Sequence, residues 1–253
     1  MTLLITGGAS GIGAATARLA AARGYKVAIN YRSRASQAKA LIADITAKGG
    51  QAIALPGDVS REDDISRLFD ETERALGPVD RLVNSAGIDG GASRVEDFDA
   101  ATLARLFTVN AVGLMLCCRE AARRMSTKRG GKGGVIVNLS SLAATIGGRP
   151  GKSHYAASKA AVDSFTVGFA KEVAAEGIRV NALRPGMIET EMTERTLADR
   201  EVRAAIESTI AMGRVGQAHE IAQAILWLLS DESTFVSGAI LDASGGGFVF
   251  GKR

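Results

Sequence analysis

From its first residues almost to its last, the chain alternates short β-rich runs with longer segments of helical periodicity. This alternation constrains the fold more than any other feature. "TLLIT" opens as a strand, and "GIGAATARLAAARG" follows as a helix ending at Gly24, where a left-handed cap is easily accommodated. "KVAINY", "QAIALP", "RLVNSA", "GVIVNLS", "IRVNALRP" and "GAILDAS" read as further strands. Strands joined through helices are parallel, and the helices cover both faces of the sheet, so such strands are apolar without strict alternation. The expectation is an α/β, doubly wound fold. With 253 residues, 46% of them hydrophobic, and no Pro- or Ser-rich linker, a single domain over 1–253 is expected. "KRGGKGG" reads as a surface turn before a strand. The one departure from alternation, a polar helical stretch at about 187–216, reads as an insertion beyond a strand end of the kind that forms substrate lids.

Several function classes receive no support. The net charge of +4, from 31 basic and 27 acidic side chains, is spread along the chain, so no nucleic-acid partner is expected. No basic-then-apolar opening segment appears and no apolar run approaches the roughly 18 residues of a membrane span, so a soluble, cytoplasmic protein with no membrane partner is expected. The two cysteines, Cys117 and Cys118, are adjacent in an apolar helical run, and the two histidines are His154 and His219. Neither a disulfide framework nor a metal site is indicated.

"TGGASGIG", Thr6 to Gly13, lies between the first strand and the first helix and spaces Gly7, Gly11 and Gly13 as G-x-x-x-G-x-G. Glycines there permit a tight turn, close backbone approach to a pyrophosphate, and packing of the helix on the sheet, while the helix N-terminus offers unpaired N–H groups. The context is that of a dinucleotide site, with Ser10 and Ile12 beside the glycines. At the end of the second strand, Asn30-Tyr31-Arg32-Ser33-Arg34 lacks the carboxylate that would take an adenosine ribose and reject a 2′-phosphate. Arg32 can instead meet that phosphate, which favours NADP(H), with NAD(H) as the second choice. In "GDVS", Asp58 and Val59 follow the third strand; Asp58 either receives the adenine amino group or belongs to the next helix's N-cap region.

"SHYAASKAA" sets Tyr155 and Lys159 four residues apart, on one helix face. A phenol ionises near pH ~10 and needs help to exchange protons at neutrality. A cation about 4 Å away, at an effective dielectric of about 20, contributes roughly 4 kcal/mol, or about 3 pKa units. The ammonium of Lys159 is therefore expected to draw the Tyr155 phenol towards neutral pH.

Taken together, the glycine pattern, "GDVS", "NSAG" at 84–87, "TVNAVG" at 108–113, "IVNLSS" at 136–141, "YAASK" at 155–159 and "VNALRPGMIET" at 180–190 resemble the short-chain dehydrogenase/reductase family over essentially the whole chain. The single-domain members it looks most like are 3-oxoacyl-carrier-protein reductases and sugar 1-dehydrogenases such as glucose 1-dehydrogenases. The resemblance implies a Rossmann fold with a seven-stranded parallel sheet of order 3-2-1-4-5-6-7, a nicotinamide cofactor, and a catalytic set of Asn110, Ser141, Tyr155 and Lys159. In that set Ser141 polarises the substrate oxygen, Tyr155 is the general acid or base, and Lys159 also bonds the nicotinamide ribose. Asn110 would lie in a helix distortion and hold a water that relays protons to Lys159, an ordinary helix amide being the other reading. Asn84, Ala86 and Gly87 would line the adenosine side. Pro185, Gly186, Ile188 and Thr190 would meet the nicotinamide.

"NSAG" departs from the family's more usual Asn-Asn-Ala-Gly, and the 14 residues from Ser141 to Tyr155 are about one more than the resemblance implies. His154 reads as a neighbour of the pocket rather than its lining, and Met187, Met192 and Met212 as pocket or core. Arg94 and Arg149 either attract an anionic substrate or are simply solvated. The expected activity is NADP(H)-preferring interconversion of a small-molecule carbonyl and a secondary alcohol, the alternative being a cofactor-sensing protein without catalysis. A homotetramer, packed through the helices carrying Asn110 and Tyr155, is what the resemblance implies for assembly.

Overall fold

The computed structural model describes residues 1–247; the last six residues of the 1–253 domain range lie outside the described residues. In chain order the elements are β1 (Thr2–Thr6), α1 (Gly11–Ala22), β2 (Lys26–Tyr31), α2 (Ala35–Ala47), β3 (Ala52–Pro56), α3 (Glu62–Leu76) and β4 (Arg81–Asn84). They continue as α4 (Ala100–Phe107), a π-helical turn (Thr108–Gly113), α5 (Leu114–Met125), β5 (Gly134–Leu139), α6 (Ala143–Ile146), α7 (Ser153–Val173) and β6 (Ile178–Pro185). The chain then passes through β7 (Ile188–Glu189), α8 (Glu194–Leu197), α9 (Arg200–Glu207), β8 (Gly216–Gln217), α10 (Ala218–Leu229) and β9 (Ile240–Ala243).

The seven-stranded sheet has the order β3-β2-β1-β4-β5-β6-β9 and every pairing in it is parallel. This is the expected order, with β9 as the seventh strand because β7 and β8 pair with each other outside the sheet. Side chains on β1 divide between two cores: Leu3 and Ile5 pack with α1, α2 and α10, and Leu4 packs with α3, α5 and α7. Burial on both faces is why "TLLIT" reads as an unbroken apolar run. Gly24 closes the first helical segment at φ +82°, as expected for its cap.

Strand order reverses between β1 and β4, which opens a crevice at the strands' C-terminal ends. Thr6 holds this crevice together: its hydroxyl accepts the N–H groups of Ser85 (3.2 Å) and Ala86 (3.3 Å), which ends β4 at Asn84, two residues before the end of "RLVNSA". Segment 187–216 is less helical than expected. It contains β7, two short helices and β8, with a small core of Leu197, Ile206 and Val215.

The expectation that no apolar run approaches a membrane span needs correction. Ala100–Met125 forms a continuous 26-residue helix of mean hydropathy 1.6 over its most apolar window, long and apolar enough to cross a membrane by length and composition. The sequence shows no unbroken run because Arg105 and Asn110 interrupt it; here Asn110 and the apolar Val109, Leu114 and Cys118 face into the protein.

Candidate active site

The glycine turn is built as the spacing requires. Gly7 has φ +64°, and a Cβ on it would lie 2.7 Å from Ala86 Cα; a Cβ on Gly13 would lie 2.5 Å from the Gly7 carbonyl oxygen. Only glycine lets β4 and α1 approach the turn this closely. Ser10 occupies the N-cap of α1 in extended conformation without a side-chain capping bond, which leaves the first-turn N–H groups and the positive end of the helix facing the cleft. These features fit a diphosphate. Asn30, which the sequence reading did not single out as a site residue, braces the turn by accepting Gly7 N–H (3.3 Å) and donating to the Gly57 carbonyl (2.8 Å).

Gly7, Ser10, Gly11, Ile12, Asp58, Val59, Ala86 and Gly87 line one cleft, which also receives Arg32, Ser33 and Arg34. Gly13 supports the turn from behind. Asn84 does not reach the cleft: it is 2% exposed, and its amide donates to Asn138 Oδ1 (2.9 Å) and Cys118 Sγ (3.3 Å). The reason is strand alternation, which turns residue 84 inward while the loop after it forms the wall.

Charge gathers at the far end of this cleft. Arg32 lies 3.8 Å from Asp58 Oδ2, and Arg34 lies 3.8 Å from Glu191 Oε1. Arg105, also missed by the sequence reading, holds Asp58 at 3.0 Å and Ser60 Oγ at 2.8 Å. Burial pushes the Asp58 carboxyl up, but hydrogen bonds from Ser60 and Arg105 outweigh it and its pKa falls to about 2. Asp58 also accepts Ser60 N–H at 2.9 Å, the turn that leads into α3. Its two oxygens are thus engaged by the protein.

At the other end, the cleft opens into a cavity of about 320 Å³ lined by Ser141, Tyr155, Lys159, Pro185, Gly186, Ile188 and Thr190. Of the two serines after β5, Ser140 is buried and donates to the Lys159 carbonyl (3.2 Å), whereas the Ser141 hydroxyl lies beside the Tyr155 phenol and lowers its pKa. Ser141 is the serine able to face a ligand. The interval from Ser141 to Tyr155 is filled by α6 and a turn in which Gly147, Gly148 and Gly151 all take positive φ. On the β6 side, a Cβ on Gly186 would sit 2.9 Å from Ser244 Cα, so a larger residue would push β6 and the 244 loop apart.

Asn110 lies in the π-helical turn and is fully buried. Its Oδ1 accepts Ile88 N–H (2.9 Å) and its Nδ2 donates to the Ile88 carbonyl (2.9 Å) and to Ser158 Oγ (3.0 Å). The side chain therefore clamps the loop after β4 to α7 and does not itself enter the cavity. Gly87 fits beneath this clamp: a Cβ there would lie 3.4 Å from Asn110 Oδ1 and 3.6 Å from Lys159 Nζ.

The expected tuning of Tyr155 by Lys159 is not what the structure holds. Lys159 donates to the Leu139 carbonyl at 2.7 Å, and burial lowers its pKa to about 8 against the opposing pull of Asp163. The Tyr155 phenol is pushed up by burial; the Ser141 hydroxyl lowers it and the Asp89 carboxylate raises it further. Helical spacing puts both residues on one face of α7, but a main-chain acceptor at the end of β5 captures the ammonium. The phenol is therefore protonated at neutral pH.

Four other expectations are settled by position. Met187 and Met192 line the cavity, whereas Met212 is 68% exposed and does not. His154 packs edge-on to Phe98 with ring centroids 5.1 Å apart, buried beside Gly90 and Leu106 and away from the cavity. Arg94 is paired with Glu96 in solvent, and Arg149 lines the cavity.

A doubly wound sheet with a diphosphate-shaped turn at its switch point and a Ser–Tyr–Lys group across the strand ends defines an oxidoreductase that uses a nicotinamide dinucleotide. The chain belongs to the short-chain dehydrogenase/reductase family: residues 7–247 match the family model described as enoyl-(acyl carrier protein) reductase. It is 45% identical over 247 residues to the uncharacterized oxidoreductase YgfF of Escherichia coli K12, covering 96% of this chain and 98% of that one. It is 40% identical over 256 residues to 3beta-hydroxysteroid dehydrogenase 1 of Eggerthella lenta, covering 99% and 97%. Among solved structures, a short chain dehydrogenase from Burkholderia cenocepacia J2315, in complex with NADP, superposes with a TM-score of 0.87 at 34% identity over 96% of each chain.

Proposed function

We propose that the protein is an NADP(H)-preferring oxidoreductase that interconverts a carbonyl and a secondary alcohol, with Tyr155 as the general acid and base. The observation that carries this reading is the continuity of the cleft, which runs from Arg32, Ser33 and Arg34 past the glycine turn to Ser141, Tyr155 and Lys159. The nicotinamide, when bound, supplies or accepts the hydride. The α1 N-terminus and the glycine turn would hold its diphosphate, and Arg32 and Arg34 the 2′-phosphate of NADP(H).

The protein's own part is proton handling and positioning. Ser141 donates a hydrogen bond to the substrate oxygen and polarises it. Tyr155 then gives its proton to that oxygen in reduction, or takes one in oxidation. Burial raises its pKa, so the phenol holds its proton at neutral pH until a substrate oxygen receives it. Lys159, with a pKa of about 8, carries its charge on the protein side of the cleft where ribose hydroxyls would lie. Asn110 acts by holding the 85–88 loop and Ser158, and segment 187–216 serves as the lid over the cavity. We also propose assembly as a homotetramer through α5 and α7, which light scattering measures.

A screen of ketones, aldehydes and secondary alcohols with NADPH, NADH and their oxidised forms tests the proposal. Carbonyl-dependent oxidation of NADPH, faster than of NADH, is expected. Turnover with neither cofactor on any carbonyl or alcohol would reject it.

A further inference from the structure

The cavity beside Tyr155 contains one guanidinium that no anion of the described residues meets. Arg149 sits in the turn between α6 and α7 and lines the cavity together with Leu142, Ile146 and Met187. Burial alone perturbs it, lowering its pKa, and no carboxylate raises it. Arg23, Arg74, Arg129, Arg195 and Arg200 likewise make no ion pair among the described residues, but none of them lines this cavity. Arg67, Arg119, Arg124, Arg203 and Arg214 are all raised by carboxylates bound to them. Arg179, which burial also lowers, donates to the carbonyls of Leu228, Ser230 and Val236.

The surroundings leave Arg149 without a partner for a structural reason. Asp89, the carboxylate on the cavity rim, already accepts Lys152 Nζ at 2.6 Å, and Lys152 also donates to the Gly91 carbonyl at 2.8 Å. The turn that presents Arg149 is shaped by Gly147, Gly148 and Gly151 at φ between +76° and +79°, and the Arg149 carbonyl accepts Lys152 N–H at 2.9 Å. A Cβ on Gly148 would lie 3.0 Å from the Lys152 carbonyl oxygen. Arg149 is exposed at the mouth of this cavity, with the apolar wall of Leu142, Ile146 and Met187 on its inner side, and a cation beside apolar surface gains more from an incoming anion than one surrounded by open solvent.

We propose that Arg149 receives an anionic group, a carboxylate or a phosphate, carried by the substrate at the end remote from its reacting carbonyl. The planar fork of the guanidinium matches either group with two hydrogen bonds, so the pocket selects oxo acids or oxo phosphates over neutral ketones. This assignment of substrate class rests on the carbonyl-reducing activity proposed above.

The test compares kcat/KM with NADPH for a homologous series of methyl-ketone carboxylic acids against their methyl esters, and for dihydroxyacetone phosphate against dihydroxyacetone. Both the native protein and Arg149→Gln are used. The native protein is expected to prefer the charged member of a pair by roughly 10- to 100-fold, chiefly through KM. In Arg149→Gln the ratio should fall to near one, and Arg149→Lys should recover part of it. Preference in the acid pairs identifies a carboxylate as the anion, and preference in the phosphate pair identifies a phosphate. A thermal-shift titration with hexanoate and with inorganic phosphate reads anion binding without turnover; phosphate held at the glycine turn or by Arg32 shifts both proteins alike, so the Arg149 site is read as the larger shift of the native protein over Arg149→Gln. Neutral and charged members reduced equally well by the native protein, or an equal loss of both in Arg149→Gln, would overturn the assignment while leaving the oxidoreductase reading intact. Failure of every carbonyl with either cofactor would instead reject the oxidoreductase reading, and the anion titrations would still report on Arg149.

Discussion

Replacing Arg32 by Ala should reduce the preference for NADPH over NADH by an amount that the structure bounds. A hydrogen bond to a charged group contributes about 1.5–3 kcal/mol. The Arg32 side chain is 55% exposed, so solvent screening reduces this to about 1–2 kcal/mol, or roughly 5- to 30-fold in Kd. Asp58 would not be stranded by the loss, because Arg105 and Ser60 still engage it, and so the fold should tolerate the change. Titration of nicotinamide fluorescence at fixed ionic strength measures both affinities. NADPH should weaken by the stated factor while NADH changes by less than about 2-fold, and raising the salt should narrow the native preference. Equal weakening of both cofactors, or no weakening of NADPH, would refute the placement of a 2′-phosphate beside Arg32.

Other perturbations have expected outcomes of the same kind. Gly13→Ala sets a Cβ 2.5 Å from a main-chain oxygen and 2.9 Å from Gly8 Cα, so calorimetry should show a loss of about 1–3 kcal/mol or more, with weaker binding of both cofactors. Asn110→Ala leaves the N–H and carbonyl of Ile88 without their partner, and chemical denaturation should record a loss of about 2–4 kcal/mol. The Lys159 pKa is depressed from 10.5 to about 8, so the unfolded chain binds more protons between those values and stability should rise as pH climbs from about 8 towards 10.5. Lys159→Met should abolish that rise and increase Tm at neutral pH while reducing turnover. The Asp58 pKa is depressed from 3.8 to about 2, so its stabilisation is present above about pH 4 and is lost as pH falls towards 2. Asp58→Asn should flatten the denaturation profile over that window.

The sheet was legible because its inner strands β2, β1, β4, β5 and β6 are buried on both faces and therefore read as apolar runs, while the edge strands β3 and β9 are only half-buried, and because glycine marks backbone that nothing else can adopt. Gly7, Gly13 and Gly24 each serve the purpose their sequence context suggested. Asn110 was legible as an anomaly, since a poor helix former inside a helix needs a reason, and the π turn and the Ile88 clamp supply it. What escaped depends on contacts distant in sequence. Thr6 meets Ser85 from 79 residues away and Arg105 meets Asp58 from 47, and no local pattern reports either contact. Asn84 was misplaced because a motif gives proximity but not the face of the strand. The Tyr155–Lys159 pair shows the same limit: helical spacing brought the two onto one side of α7, but the Leu139 carbonyl, at the end of a strand far from them in sequence, decides where the ammonium points.

Single-turnover oxidation of NADPH by Tyr155→Phe, with whichever carbonyl the native protein reduces, tests the catalytic assignment most directly. The rate should fall by roughly 10²- to 10⁴-fold while the Kd for NADPH stays nearly the same. A variant that still transfers hydride at close to the native rate would show that the phenol is not the proton donor, and the account of this site would have to be abandoned.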